Sequence, residues 1–213
     1  MVLTRDYQPL ARLIEDAYQQ SGNELGWRLL YSPAQVLDRA DVAFIGLNPG
    51  GSVRPADHAE FACEIGSAYE TEQWAGCGPG ESPLQRQVRA MFAMIDVQAD
   101  QVLAGNLVPF RSPTWRDLVA PAQSLEFGRR LWSDFLAAAR PRLVVTMGSI
   151  VGAEIASLLG VKLAAAPTGW GNVAAQRGQA GSVTLIALPH LSRFRLFDRA
   201  ASHTHLQKLF AGY

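Results

Sequence analysis

Asp41-Val42-Ala43-Phe44-Ile45-Gly46-Leu47 runs directly into Asn48-Pro49-Gly50-Gly51, and this junction decides the fold. After Asp41 the run is apolar without alternation, the pattern of a short strand covered on both faces. The Pro-Gly-Gly that follows favours a turn. Three more stretches read as strands: Gln101 to Leu107, Arg142 to Gly148 and Val183 to Leu188. Helical signals lie around and between them. Residues 7–20 place Leu10, Leu13, Ile14 and Ala17 at helical spacing, and 33–39 make a second, short candidate. Ser82-Pro83 supplies an N-cap and a first-turn proline for a helix through Leu84, Val88, Met91, Phe92 and Ile95. Leu125 to Ala139 carries Leu131, Trp132 and Phe135 on one face, a further helix runs to Leu159, and a last one starts near Asp198. Residues 50–82, rich in Gly and Pro, read as loop with short helical pieces.

Strands alternating with helices imply right-handed βαβ units. The expected fold is α/β, a three-layer α/β/α arrangement around a central, mostly parallel four-stranded sheet, with residues 1–213 as one domain. In such sheets ligands sit beyond the carboxyl ends of the strands.

The bulk numbers bound the function. Of 213 residues, 48% are apolar and 18% charged, enough for a core and too apolar for disorder. Nineteen basic residues balance nineteen acidic ones, so any anion-binding surface must be a local patch. The two cysteines, Cys63 and Cys77, cannot hold a four-cysteine iron–sulfur cluster, and no Cys/His set has zinc spacing. No metal and no cofactor are expected. Residues 1–6 lack a signal-peptide pattern and no apolar run has the length of a membrane span. A cytoplasmic protein without membrane contact, acting as a monomer, is the expectation.

Three of the four strands end in unusual polar groups. The first ends in Gly46-Leu47-Asn48-Pro49-Gly50, the second in Gly105-Asn106-Leu107, the fourth in Pro189-His190-Leu191-Ser192. Singly, each has an ordinary explanation: a turn, an amide capping a strand end, a satisfied imidazole. If the strands are parallel, all three meet at one edge of the sheet, and two amides with an imidazole at one edge make an active site.

These motifs resemble the uracil-DNA glycosylase superfamily. Gly46-Leu47-Asn48-Pro49-Gly50 is similar to its first motif, in the form with Asn of the mismatch-specific and single-strand-selective branches. Phe61, thirteen residues after Asn48, matches the offset of the base-stacking phenylalanine. Asn106 resembles the base-reading asparagine. Pro141 to Gly148 is similar to a common structural strand, and His190-Leu191-Ser192 resembles the second motif, with Leu191 where proline is usual.

The resemblance implies hydrolysis of the bond between a damaged base and its deoxyribose, with DNA containing that base as partner. Asn48 would place the water, and His190 would donate to a base carbonyl as charge grows there. Gly46, Leu47, Pro49, Gly50, Phe61 and Asn106 would line the base pocket. A stacked aromatic contributes ~1–3 kcal/mol per base, and an amide supplies donor and acceptor together for a uracil edge. Gly50 stands where strict uracil enzymes carry a blocking tyrosine, which implies an open pocket. A base in a duplex must be flipped out. Ser192, Arg193, Phe194 and Arg195 would contact DNA, since apolar wedges between basic residues enter DNA this way. Two alternatives stay open: a non-catalytic nucleic-acid binder of the same fold, and a binder or hydrolase of free nucleosides or nucleotides.

Overall fold

The computed structural model describes residues 6–55 and 58–213. The opening residues 1–5, read above for a leader, lie outside the described residues. The predicted strands are found as β1 (Val42–Gly46), β2 (Leu103–Asn106), β3 (Leu143–Met147) and β6 (Val183–Leu188). The helices are α1 (Gln8–Ser21), α2 (Ala68–Thr71), α3 (Pro83–Met94), α4 (Pro121–Ala139), α5 (Ser149–Leu159) and α6 (Ala200–Phe210). The short candidate at 33–39 is a 3-10 turn, Ala34–Leu37. Ser82 caps α3 in a full capping box with Gln85.

The sheet is larger than the four strands expected. Among the described residues it has six, in the order β2-β1-β3-β6-β5-β4, where β4 is Ala164–Trp170 and β5 is Val173–Ala180. β2, β1, β3 and β6 are mutually parallel. β4 and β5 form an antiparallel hairpin added beside β6. The hairpin is not legible in the sequence because its strands lack a run of large apolar residues: β4 is Ala-Ala-Ala-Pro-Thr-Gly-Trp, with one buried residue among seven.

Chain direction explains the layers. From β1 the chain crosses by α3 to β2 on one side, then returns by α4 to β3 and by α5 to β6 on the other. Right-handed crossovers in opposite directions must use opposite faces. Accordingly Ala43 and Ile45 of β1 pack with α1, α4 and α5, while Val42 and Phe44 pack with α3 and α6. The reversal of direction lies at β1, between β2 and β3, the position where open α/β sheets bind ligands.

Two devices hold the β2 side. α4 lies directly on the end of β2: a Cβ added at Gly128 would be 2.0 Å from the Leu107 carbonyl oxygen, and Trp132 Nε1 donates to the Asn106 carbonyl at 2.7 Å. Outside β2, residues 27–31 run along its open edge, with Leu30 bridged to Gly105, Trp27 bridged to Phe110, and the Tyr31 amide donating to Ala104 O. This edge segment is held by Arg28, only 1% exposed, whose two terminal nitrogens donate to the two Glu72 carboxylate oxygens at 2.8 and 2.7 Å. Burial would raise the Glu72 carboxyl, but Arg28, with help from the Trp74 indole, holds it below its ordinary 4.5.

Gly128→Ala should lower stability by about 1–3 kcal/mol or more through overpacking, read as a lower urea midpoint at unchanged m-value. Glu72→Gln, which strands a buried guanidinium, should cost about 3–5 kcal/mol. Because the Glu72 pKa is depressed in the folded state, its contribution is complete above pH 4.5 and is lost as pH falls through the lower folded value. The difference between wild type and Glu72→Gln should therefore shrink in unfolding curves taken at progressively lower pH.

Candidate active site

The parallel register brings the three strand-end groups to one edge, as expected. Ile45 and Gly46 of β1 align with Gly105 and Asn106 of β2. The pairing continues past the strands: Leu107 N donates to Gly46 O, Val108 N to Leu47 O, and Ser112 N to Pro49 O. Asn48 and Asn106 thus stand on adjacent chains, fixed by backbone bonds. His190 follows β6, two strands from β1 across β3.

Asn106 is buried. Its amide lies over Gly46, where an added Cβ would be 2.5 Å from Asn106 Oδ1. Gly46 is needed there as space. Asn106 Nδ2 donates to the Tyr31 hydroxyl at 2.8 Å. Tyr31 is in turn surrounded by Tyr69 and Trp74, with ring centroids at 5.3 and 5.6 Å, and Arg28 lies 4.5 Å from its ring centre. The base-reading candidate is therefore wired to the buried ion pair through one tyrosine, which the sequence reading missed. Tyr31 sits ahead of β1 in the chain, and no strand-end logic points to it.

Asn48 is half-buried. Nδ2 donates to Ser112 Oγ at 2.8 Å and to Pro49 O at 3.2 Å, and Ser112 Oγ donates onward to Thr114 O at 2.8 Å. With the amide hydrogens spent this way, Oδ1 is the group that Asn48 offers to a water. Pro49 is buried, and Leu47 packs against the α1/α4/α5 layer. Gly50 is exposed, with no atom within 4 Å of the position its Cβ would take. Its carbonyl accepts from Arg111 Nη1. Ser112 and Arg111 are also absent from the candidate residues of the sequence, which pass from Asn106 to His190.

Phe61 is set apart. It is half-buried, its ring packs against the α1/α4/α5 layer, and its centroid lies 6.0 Å from that of Tyr7. Asn106, by contrast, shares the parity of Val102 and Ala104, which face the α3/α6 layer. The Asn106 amide donates to the hydroxyl of Tyr31.

His190 Nδ1 is 2.8 Å from Ser192 Oγ. The residue is exposed, yet packing around the ring pushes its pKa below the ordinary 6.5. Its carbonyl accepts from both the Arg193 and Phe194 amides, which closes a tight turn. Leu191 and Leu196 are fully buried and pin this turn to the α3/α6 layer. Ser192, Arg193 and Arg195 are exposed. Phe194 is half-buried against Trp170, 6.0 Å between centroids and nearly perpendicular, with Arg193 5.6 Å from the Phe194 ring centre. β6 runs toward the site edge, so β5 starts there and β4 ends there. The hairpin tip at Trp170 consequently borders the His190 turn, and Arg199 covers the Trp170 ring at 4.8 Å. A basic and aromatic rim flanks the site on this side.

Among the described residues no cluster of His, Cys, Asp and Glu could hold a metal ion. No helix among them is long and apolar enough to cross a membrane. A search of curated proteins finds no match. The family model described as the uracil DNA glycosylase superfamily matches residues 33–211, from the turn before β1 to the end of α6. With the sheet order, the paired strand-end amides and the His190 turn all inside that span, the chain belongs to the uracil-DNA glycosylase superfamily.

Proposed function

We propose that this chain is a monofunctional DNA glycosylase that hydrolyses the N-glycosidic bond of uracil or a related deaminated or oxidised base. The observation that carries the reading is the pair of amides at adjacent strand ends: Asn106 seated over Gly46, and Asn48 with its hydrogens tied to Ser112 and Pro49. The departing base leaves an oxocarbenium-like sugar, so the water needs placement more than a strong base. Asn48 Oδ1 accepts a hydrogen from that water. Asn106 reads the base edge, with Tyr31 fixing its amide. Phe61 is the base-stacking candidate, its ring steadied by Tyr7, and Tyr31 adds an aromatic wall beside Asn106.

His190 acts as a neutral donor. When Ser192 donates to Nδ1, the ring carries its proton on Nε2, which donates to the base oxygen as negative charge develops. Arg193, Phe194 and Arg195 meet DNA beside the pocket, with Phe194 backed by Trp170. The Gly-Leu-Asn-Pro-Gly turn and the open space at Gly50 support affiliation with the mismatch-specific and single-strand-selective branches and a pocket tolerant of a 5-substituent.

Labelled oligonucleotides carrying uracil, hypoxanthine, xanthine or 5-hydroxymethyluracil test this reading directly. Wild type should release at least one base, and Asn48→Ala should lose release while keeping DNA affinity nearly intact. His190→Ala should slow release by on the order of 10²–10³. DNA binding without release of any base would instead support the binding-only member of the fold.

The pH profile provides a separate check. With the His190 pKa below 6.5, the ring is neutral at pH 7 and above. Asn48 does not titrate. Single-turnover release should be flat from about pH 7 to 9 and depart from the plateau only on the acid side. In His190→Ala that acid-side change should vanish. A rate that climbs through pH 7 to 8 would assign the chemistry to a different group.

A further inference from the structure

Two guanidinium groups are buried near the Asn48–Asn106 edge, but only one is matched by a carboxylate. Arg28 has Glu72 in a two-pronged pair. Arg111 is 9% exposed, and among the described residues no carboxylate pairs with it. Nη1 donates to the Gly50 carbonyl, while Nε is buried without a hydrogen-bond partner. A buried cation that uses one of five N–H donors is costly unless an anion completes it. Arg28 and Glu72 lie close enough for their charges to act on Arg111, as does the Tyr31 hydroxyl.

The position restricts what the anion can be. Arg111 precedes Ser112, the residue that orients Asn48, and it grips the carbonyl of Gly50, two residues after Asn48. Gly51, at φ +114°, bends the chain around the guanidinium, with its missing Cβ 3.5 Å from Nη1. On the Gly50 side there is open space. A water held at Asn48 must reach a sugar carbon, and that sugar carries a phosphate one bond beyond its 3′ or 5′ oxygen. An anionic oxygen therefore arrives within a residue's reach of Asn48 whenever substrate is bound. A planar guanidinium fork matches phosphate geometry better than a point charge does.

We propose that Arg111 is a phosphate-binding residue of this site, receiving the phosphate next to the extruded nucleotide. The inference rests on the glycosylase reading for its substrate, but the phosphate chemistry is shared by a DNA strand and a free nucleotide. Arg111 thereby couples anion binding to the shape of the Asn48 turn, because the same side chain holds Gly50 O.

The test uses the full chain and a probe that needs no catalysis, an oligonucleotide with a tetrahydrofuran abasic-site analogue. Affinity is measured against KCl concentration for wild type, Arg111→Lys and Arg111→Met. Arg111→Met should bind more weakly, with a log–log salt slope reduced by about one, and Arg111→Lys should recover the slope. Equal affinity and slope for wild type and Arg111→Met overturn the proposal. If Arg111→Met fails to fold, wild type is titrated with oligonucleotides bearing a neutral methylphosphonate at each phosphate flanking the analogue. One position should lose affinity and slope, and loss at none overturns the proposal. Deoxyuridine 5′-monophosphate and inorganic phosphate form the second arm, read by thermal melting. Stabilisation by them in wild type but not in Arg111→Met, with no oligonucleotide binding, would keep the phosphate site and remove the DNA reading. Binding of neither probe overturns both.

Discussion

The site depends on the buried pair between Arg28 and Glu72. An isolated guanidinium in this position would be intolerable, and the carboxylate comes from a loop more than forty residues along the chain. The pair therefore fixes two irregular segments to each other: residues 27–31 along the open edge of β2, and the stretch from His58 to Trp74. Tyr31 sits between them, with its ring against Arg28 and its hydroxyl on Asn106. Irregular backbone near a site is ordinarily where precision is lost. Here an ion pair, two indole or phenol contacts and an edge bridge restrain it.

The polar groups of the site are committed before any substrate arrives. Asn48 has spent its hydrogens, Asn106 lies between Gly46 and Tyr31, and His190 holds Ser192. Asn48 keeps Oδ1 outside these bonds, and Asn106 keeps Oδ1 and one Nδ2 hydrogen. Groups fixed in this way need little reorganisation, which is the main advantage of preset dipoles over solvent. Neither Asn48 nor Asn106 is titratable, so the environment tunes only the imidazole, and it does so by packing rather than by a charged neighbour.

The frame of the protein was legible because the parallel strands are buried on both faces and their sequences say so: Val42 to Gly46, Leu143 to Met147 and Val183 to Leu188 lie where the apolar runs placed them. The strand-end residues followed from that frame, since β1, β2 and β6 point the same way. The β4–β5 hairpin was hidden by composition. Its strands are held by backbone pairing and by α6 rather than by large apolar side chains, although Gly171-Asn172 between Trp170 and Val173 is a two-residue hairpin signal. Tyr31, Arg111 and Ser112 were illegible for a different reason. Their roles come from contacts across long sequence separations, 75 residues for Tyr31 with Asn106 and 64 for Asn48 with Ser112. The offset of Phe61 from Asn48 is a linear match, and its half-buried ring packs 6.0 Å from that of Tyr7.

The rims of the sheet carry a further consequence. With a pI near 6.9 and no net charge, the chain has little electrostatic repulsion to keep copies apart at neutral pH. Resistance to strand-by-strand association then falls to geometry. The β2 rim is occupied by residues 27–31. The β4 rim contains Pro167, which has no N–H to offer, and its register with β5 shifts between Pro167 and Trp170. Gly169 lies so close to α6 that an added Cβ would be 2.3 Å from the Ala201 carbonyl oxygen, which leaves no straight ladder there for another chain to extend. Changes that regularise this rim, such as replacing Pro167 with a β-branched residue, would turn an edge that resists pairing into an adhesive one, on the strand that ends against Phe194.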